Sequence, residues 1–165
     1  MTNKLFPIAT WLLSAMLGNA ASLDASAAFN RLKTLVGEWQ AATDMGKAHV
    51  SYELIAEGTV LVERLEMEKM ATMLTMYHLD GDRLILTHYC SVGNQPRMQA
   101  QTFHPESGEL EFQFLDITNL ARPGGGHMHN AKFRLVDPRH FTSEWQFFET
   151  GQKKPAEKFQ FTRIR

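Results

Sequence analysis

Two short patterns in this sequence pair residue types that bind metals or move protons. His88 and Cys90 form a His-x-Cys pattern, and His127 and His129 form a His-x-His pattern. Zinc, copper and haem iron all accept imidazole nitrogens and thiolates, so these four residues are candidate metal or haem ligands. Such pairs also occur by chance on strands. We therefore favour the alternative that they form a hydrogen-bonded polar network, which either lines a pocket for an organic ligand or packs the barrel mouth.

Three further residues are candidates for ligand binding near these pairs. Asp116 could support His88 or His129 as a general base, which would make the protein an enzyme. Arg97 could meet an anionic group of a ligand, although a salt bridge at the rim is the favoured interpretation. Trp145 could line a pocket, with a place in the core favoured. The sequence has no Ser nucleophile elbow, no His-Glu-x-x-His and no phosphate-binding loop, so an enzyme is the weakest hypothesis.

The elements that would position these residues are a short helix followed by many short strands. Residues 23–36 carry apolar side chains at three- and four-residue spacing, which indicates a helix. After Gly37, apolar and polar residues alternate, with turn residues roughly every eight to twelve positions. The predicted strands are residues 38–43, 49–55, 59–67, 72–79, 83–90, 97–103, 110–118, 127–136, 141–149 and 158–164. This pattern predicts an all-β fold, an antiparallel up-and-down β-barrel of about ten strands with a short N-terminal helix.

Strand direction and side-chain alternation place the candidate residues at one end of this barrel. Side chains two residues apart on a strand share a face, and the apolar members of each face are expected to point inward. The residues that these rules bring inward, at one mouth, are His88, Cys90, Asp116, His127 and His129. Loops 91–96 and 119–126 are predicted at the same mouth. The same rules place Tyr77 and Met128 on the outer face and His140 at the opposite end.

A resemblance to a known superfamily rests on the first and last strands. A short helix running into Leu35-Val36-Gly37-Glu38-Trp39 is similar to the Gly-x-Trp opening of the lipocalin and calycin superfamily. Arg163 stands where an Arg of the last strand packs across that Trp. Further segments resemble a family of uncharacterised small bacterial secreted proteins, namely residues 75–84, 87–90, 94–98 and 126–129. The resemblance implies a calycin-like barrel that binds something small. The architecture is also distantly similar to nitrobindin-type barrels, which would make His127 or His129 the donor to a haem.

Residues 1–20 are predicted to be a signal peptide. Lys4 precedes a nearly uninterrupted apolar run over residues 5–17, and the small residues of 18–20 suit a signal peptidase. The run is shorter than the roughly 20 residues that span a bilayer, so no integral membrane segment is expected after cleavage. We therefore expect residues 21–165 to form one exported domain, periplasmic or secreted.

Composition narrows the range of partners. Lys and Arg total 17 against 18 Asp and Glu, and the formal net charge of -1 gives no basic excess for binding nucleic acid. Cys90 is the only cysteine, so no intramolecular disulfide can form. The favoured hypothesis is an exported barrel that binds a small apolar or amphipathic molecule. A haem- or metal-binding barrel is the alternative.

Overall fold

The structure is a computed structural model that describes residues 23–43 and 46–165. The predicted signal peptide, residues 1–20, lies outside the described residues, as do Asp44 and Met45 of the first predicted hairpin. Export of the chain therefore stays a prediction. Among the described residues, no helix combines the length and the apolar character needed to cross a membrane.

Helix α1 (Ala25–Lys33) begins at a side-chain cap and packs one face into the core. The Asp24 carboxylate accepts a hydrogen bond from the Ala27 amide at 2.8 Å, which satisfies an amide that the first helical turn leaves free. The buried residues of the helix are Ala25, Ala28, Phe29 and Leu32. The helix ends earlier than predicted, because a turn at Thr34 leads into Gly37, whose φ of 127° is open to glycine and strained for other residues.

In the described residues, eleven strands follow the helix and form one antiparallel sheet. Their bounds are β1 (Gly37–Thr43), β2 (Gly46–Ile55), β3 (Val60–Met67), β4 (Met73–Asp80), β5 (Arg83–Tyr89), β6 (Gln95–His104), β7 (Glu109–Thr118), β8 (His127–Asp137), β9 (His140–Glu149), β10 (Gln152–Lys153) and β11 (Glu157–Arg163). Neighbouring strands pair in chain order from β1 to β9, and β11 pairs with both β9 and β1, which closes the sheet. The two-residue β10 pairs with β9 outside this ring. The predicted up-and-down barrel of ten strands with a short N-terminal helix is confirmed.

One end of the barrel is closed by a tryptophan and an arginine, as the resemblance implies. The Trp39 indole N–H donates to the Leu35 carbonyl at 2.7 Å. The Arg163 guanidinium lies 4.0 Å from the centroid of the Trp39 ring. The same guanidinium donates hydrogen bonds of 2.7 to 2.8 Å to the carbonyls of Thr34, Val36 and Pro138. We call this end, with α1 and the turn between β8 and β9, the closed end.

Tyr77 faces the barrel interior, so the prediction that it points outward is wrong. Its side chain is fully buried and lies on the same face of β4 as the buried Met73 and Thr75. The prediction failed because Leu74 and Met76 give the opposite face of β4 a similar apolar character. Alternation of side chains therefore does not fix the inner face of this strand.

Two β-bulges change which side chains face inward near the other end. The pairing of β8 with β9 skips His129, so Met128, predicted to face outward, points inward and is 6% exposed. The pairing of β7 with β6 skips Leu115, and Asp116 then lies opposite Arg97. The prediction that Asp116 faces inward is wrong, because 47% of its side chain is exposed. An extra residue in one strand moves the following side chains to the other face.

Candidate functional site

The end opposite the closed end carries most of the predicted site. We call it the open mouth and define it by loop 90–94, after β5, and loop 119–126, after β7. Hydrogen bonds tie the two loops together. The Asn94 side-chain amide donates to the Gly126 carbonyl at 2.8 Å, and the Asn119 side-chain amide donates to the Gly93 carbonyl at 2.6 Å. These bonds fix the shape of the mouth.

His88 lies inside the open mouth and keeps one nitrogen without a partner. The residue is 3% exposed, and its Nδ1 lies 3.0 Å from the Thr75 hydroxyl. Its Nε2 is buried and has no hydrogen-bond partner among the described residues. Burial lowers the pKa of His88 to about 4, so the imidazole is neutral at pH 7. A neutral ring with one unused nitrogen can bind a polar group of a ligand.

A buried carboxylate belongs to the same polar row as His88. Tyr52, Glu63, Thr75 and His88 are successive cross-strand partners from β2 to β5. Glu63 is 4% exposed, and its Oε2 accepts hydrogen bonds from the hydroxyls of Tyr52 at 2.9 Å and Tyr77 at 2.6 Å. Burial raises the pKa of Glu63, and the two hydroxyl donors partly offset that rise. The row forms a polar band inside an otherwise apolar barrel.

Sequence reasoning missed this polar row, although the sequence contains a signal for it. Glu63 stands between Leu61 and Leu65 in the inward alternation of β3. Charged side chains are almost never fully buried unless they are paired. A glutamate on the apolar face of a strand therefore indicates buried hydrogen-bond donors on the neighbouring strands.

Trp145 and Cys90 pack beside this row. Trp145 is 5% exposed, and its ring lies 5.0 Å from the His88 ring and 5.9 Å from the Phe133 ring, which confirms the favoured place in the core. Cys90 is half-buried and packs against the core cluster. Burial raises the pKa of the Cys90 thiol, so the group is protonated at pH 7 and is a weak nucleophile and metal ligand in that form.

A small cavity lies under the two loops of the open mouth, and we call it the loop pocket. Its volume is about 240 Å³, and its lining includes Asn94, Arg122, Phe147 and Glu149. Asn94 is 4% exposed, and its Oδ1 has no hydrogen-bond partner in the part of the chain that the structure describes. Gly126 also lines the pocket, and a Cβ added there would lie 2.6 Å from the Phe147 ring. A larger residue at this position would push Phe147 out of place.

His127 and His129 form a hydrogen-bonded pair at the side of the open mouth. His127 Nδ1 lies 3.0 Å from the Gly125 carbonyl, and His127 Nε2 lies 3.0 Å from His129 Nδ1. A carbonyl only accepts hydrogen bonds, so in the neutral pair each Nδ1 donates and His129 Nε2 keeps its lone pair. The His129 ring stacks between the rings of Phe114 at 4.5 Å and Phe148 at 4.1 Å.

The bulge in β8 decides where this histidine pair points. Met128 holds the inward position, so the neighbouring His127 turns to the other face of the strand, against the prediction that it faces inward. The bulged His129, also predicted inward, occupies the space between the phenyl rings. Burial lowers the pKa of His129, and the neighbouring His127 and Lys153 lower it further by smaller amounts. The lowered pKa keeps His129 neutral at pH 7.

Arg97 and Asp116 form an exposed ion pair, which confirms the favoured interpretation of Arg97. Arg97 Nε donates to Asp116 Oδ1 at 2.6 Å, and Arg97 Nη2 donates to the other carboxylate oxygen. The arginine lowers the pKa of Asp116. The enzyme hypothesis placed this carboxylate beside a histidine general base, and the structure instead places it on Arg97.

The four predicted metal donors occupy separate environments. The His88 ring packs on Trp145 inside the barrel, whereas His127 and His129 contact phenyl rings at its side. Within residues 23–43 and 46–165, no three His, Cys, Asp or Glu side chains are grouped so that they could hold a metal ion. The predicted set of four ligands does not form, because the bulge in β8 separates the pair from His88.

A haem, which the resemblance implies, needs one imidazole nitrogen that is free and accessible. His88 Nε2 is free but fully buried, and its ring face is covered by Trp145. His127 uses both nitrogens in hydrogen bonds. His129 Nε2 is free of hydrogen bonds to the described residues and is not fully buried, so of the three histidines it offers the nitrogen that fits a haem iron.

Known proteins share the barrel fold of this chain. No protein-family model matches the sequence, and no curated protein matches it. A protein of unknown function from the DUF3598 family of Nostoc punctiforme has a TM-score of 0.54 and 12% identity, over 81% of this chain and 48% of that one. Rv2717c from M. tuberculosis has a TM-score of 0.53 and 13% identity, over 84% of this chain and 98% of that one. The chain thus spans about half of the Nostoc protein, and the similarity shows a common fold.

Proposed function

We propose that this protein binds a small, uncharged, largely apolar molecule carrying a hydroxyl or amide group, and that the open mouth is the binding site. The observation that carries the proposal is a pair of buried atoms, His88 Nε2 and Asn94 Oδ1, which lack hydrogen-bond partners among the described residues. A buried polar atom without a hydrogen bond costs about 1–3 kcal/mol. Two such atoms at one end of the barrel support the proposal that a ligand binds there and supplies the missing hydrogen bonds.

The two atoms border one aromatic wall of the mouth. Trp145 contacts His88, and Phe147, two residues further along β9, lines the loop pocket beside Asn94. Side chains two apart on a strand share a face and lie roughly 6.5–7 Å apart, so the two rings are neighbours on one face of β9. Small-molecule sites combine such apolar walls with a few polar groups. The loop pocket, at about 240 Å³, is smaller than the roughly 300–1,000 Å³ of drug-sized sites, so the ligand is small.

The charges around the mouth favour an uncharged ligand. Asn94 Oδ1 only accepts hydrogen bonds, and the neutral His88 ring either accepts or donates one at Nε2. Glu63 lies on the same row as His88 and repels a carboxylate when it is ionised. Arg122 and Glu149 line the loop pocket with opposite charges. A hydroxyl or an amide can satisfy both buried atoms without bringing a charge into the barrel.

Native mass spectrometry of the purified full chain tests this proposal. We expect a bound mass that denaturing solvent releases, with lower occupancy in His88→Ala and in Asn94→Ala. His140→Ala is the matched control, because His140 is an exposed histidine at the closed end, and this variant should keep full occupancy. Equal occupancy in all three variants, with unchanged thermal stability, would contradict the proposal.

A haem-binding barrel is the second candidate function, and the free Nε2 of His129 is the observation that favours it. The hydrogen bond that His129 Nδ1 donates to His127 Nε2 would fix the tautomer and orientation of a ligating His129, as partners of metal-bound histidines do. Titration with haemin should then give a Soret band that is lost in His129→Ala and kept in His140→Ala. A Soret band that survives His129→Ala would exclude this candidate.

We also propose that the ligand is bound outside the cytoplasm, because the first 20 residues have the pattern of a signal peptide. Intact-mass measurement of the protein from its native host should find a chain that begins at Ala21, in the periplasmic or secreted fraction. A chain of full length in the cytoplasmic fraction would contradict this localisation.

A further inference from the structure

A second cavity lies at the closed end, away from the open mouth. Its volume is about 400 Å³, within the roughly 300–1,000 Å³ of small-molecule sites. Three arginines line it: Arg31 of α1, Arg139 of the turn between β8 and β9, and Arg163 of β11. Its apolar lining consists of Leu35, Trp39, Leu135 and Pro138. We call this cavity the arginine pocket.

The hydrogen bonds of these arginines leave their positive charges uncompensated. Arg163 gives its three bonds to backbone carbonyls, which are neutral. Arg31 donates one bond to the Leu135 carbonyl at 3.1 Å, and its Nε is buried with no partner in the described chain. Within the described residues, no carboxylate forms a salt bridge with any of the three guanidinium groups.

Asp137, the carboxylate that lines the pocket, already makes hydrogen bonds to groups other than the three guanidiniums. Its Oδ1 accepts the Arg139 backbone N–H at 2.7 Å, and both of its oxygens lie 2.9 to 3.0 Å from His140 Nδ1. Burial, together with the nearby charge of Arg139, lowers the pKa of Arg163. The cavity therefore holds an excess of positive charge beside apolar side chains.

We propose that the arginine pocket binds a small monocarboxylate whose apolar part lies against Leu135 and Pro138. Arg139 is exposed and keeps its side-chain donors free of hydrogen bonds to the described residues, so it contributes the accessible charge. Arg31 contributes a second, partly satisfied guanidinium. Arg163 forms part of the wall, because three of its five N–H donors already bond to backbone carbonyls. Guanidinium groups match carboxylates in geometry and charge, and such hydrogen bonds are roughly twice as strong as neutral ones.

This site differs from the open mouth in the chemistry of its ligand. The mouth presents neutral polar atoms and the buried Glu63, whereas the arginine pocket presents positive charge. Two probes of equal chain length, octanoate and octanamide, separate the two chemistries. The carboxylate should prefer the arginine pocket and the neutral amide should not.

Titration of the full chain with octanoate, followed by NMR of the indole N–H groups, tests the proposal. Trp39 lines the arginine pocket, and Trp145 lies beside the open mouth, so their signals report the two ends separately. We expect saturable shifts of the Trp39 signal, and about tenfold weaker binding in Arg139→Gln, which removes one charge-assisted hydrogen bond. Arg134→Gln is the matched control, since Arg134 is an exposed arginine of β8 outside the pocket, and its affinity should be unchanged.

Octanamide should bind this pocket at least about tenfold more weakly than octanoate, because it lacks the charge. The proposal is overturned if octanoate shifts Trp145 rather than Trp39, or gives no saturable shift. It is also overturned if octanamide binds as tightly as octanoate, or if folded Arg139→Gln keeps the native affinity.

Discussion

The His88 imidazole is buried and has one nitrogen without a hydrogen-bond partner in the described chain, so the binding proposal depends on this residue most. Thr75 holds one ring nitrogen and Trp145 covers a ring face, so the side chain cannot turn freely to water. The ring stays neutral because desolvation disfavours its charged form. A neutral, oriented imidazole is suited to hydrogen bonding with an uncharged ligand.

The lowered pKa of His88 predicts a loss of stability in mild acid. In the unfolded chain His88 is protonated near its ordinary pKa of 6.5, whereas in the folded protein its pKa is about 4. The unfolded state therefore binds more protons between these values, and stability falls as the pH falls through that window. Urea denaturation should show wild type losing about 2 kcal/mol more than His88→Phe between pH 7 and pH 5.

The comparison with His88→Phe isolates this histidine from the other titrating groups. Glu63 has a raised pKa and shifts stability with pH in the opposite direction, but it is present in both proteins. Parallel pH profiles for wild type and variant would show that His88 titrates normally, and the neutral-imidazole account would be wrong.

Gly126 is the residue whose size decides whether the loop pocket can form. An added Cβ would lie 2.6 Å from the Phe147 ring, so Gly126→Ala should destabilise the protein by about 1–3 kcal/mol through overpacking. Thermal denaturation measures the loss. The double variant Gly126→Ala/Phe147→Ala should show a smaller combined loss than the sum of the single variants, because the clash is gone. Additive losses would contradict the contact.

At the scale of elements, the bulge in β8 separates two groups of histidines that the sequence places together. The extra residue at His129 lets Met128 fill the interior while the imidazole pair packs between Phe114 and Phe148. Bulges near sheet edges and active sites re-aim side chains in this way. The strand thus contributes an apolar inner wall and a separate polar pair.

The contact between the two imidazoles on β8 predicts that a change at His127 alters the pKa of His129. Burial and, to a smaller extent, His127 lower the pKa of His129, so His127→Ala should raise that pKa by opening the site to water and removing a neighbouring charge. Histidine NMR signals followed against pH measure the change. Lys153→Ala should act in the same direction, since Lys153 also lowers the pKa of His129. An unchanged or lower pKa in His127→Ala would contradict the pairing.

The elements of this fold could be predicted from the sequence far better than the faces of its strands. Turn residues and alternation predict most strand positions, and Trp39 with Arg163 predicts the closed end. The bulges after Met128 and around Leu115 were not predictable, because one extra residue in a strand leaves no trace in composition. The mouth location of His88 therefore followed from strand direction, whereas the shared metal set of His88 and His127 did not form.

At the scale of the whole molecule, the two proposed sites lie at opposite ends of the barrel and differ in chemistry. Among the described residues, the open mouth has buried neutral atoms without hydrogen-bond partners, and the arginine pocket has guanidinium groups without a carboxylate in salt-bridge contact. Between them lies the buried core, with the network of Tyr52, Glu63 and Tyr77. A closed barrel keeps its ends apart through a rigid, densely packed interior.

This separation predicts independent binding at the two ends. Octanoate at saturating concentration should leave the affinity for octan-1-ol at the open mouth unchanged within about twofold, since no common group contacts both ligands. Indole N–H shifts of Trp39 and Trp145 measure both sites in one titration. Competition between the two probes would mean that they share one site, and the assignment of separate ends would fail.

The most direct test of binding at the open mouth is the 15N signal of His88 Nε2 in the full chain, titrated with octan-1-ol as a probe that carries one hydroxyl on an apolar chain. The account predicts a saturable shift of that nitrogen, weaker binding in Asn94→Ala, and no change in the His140 signals. A titration that leaves His88 Nε2 unchanged, or shifts it no more than His140, would contradict the account.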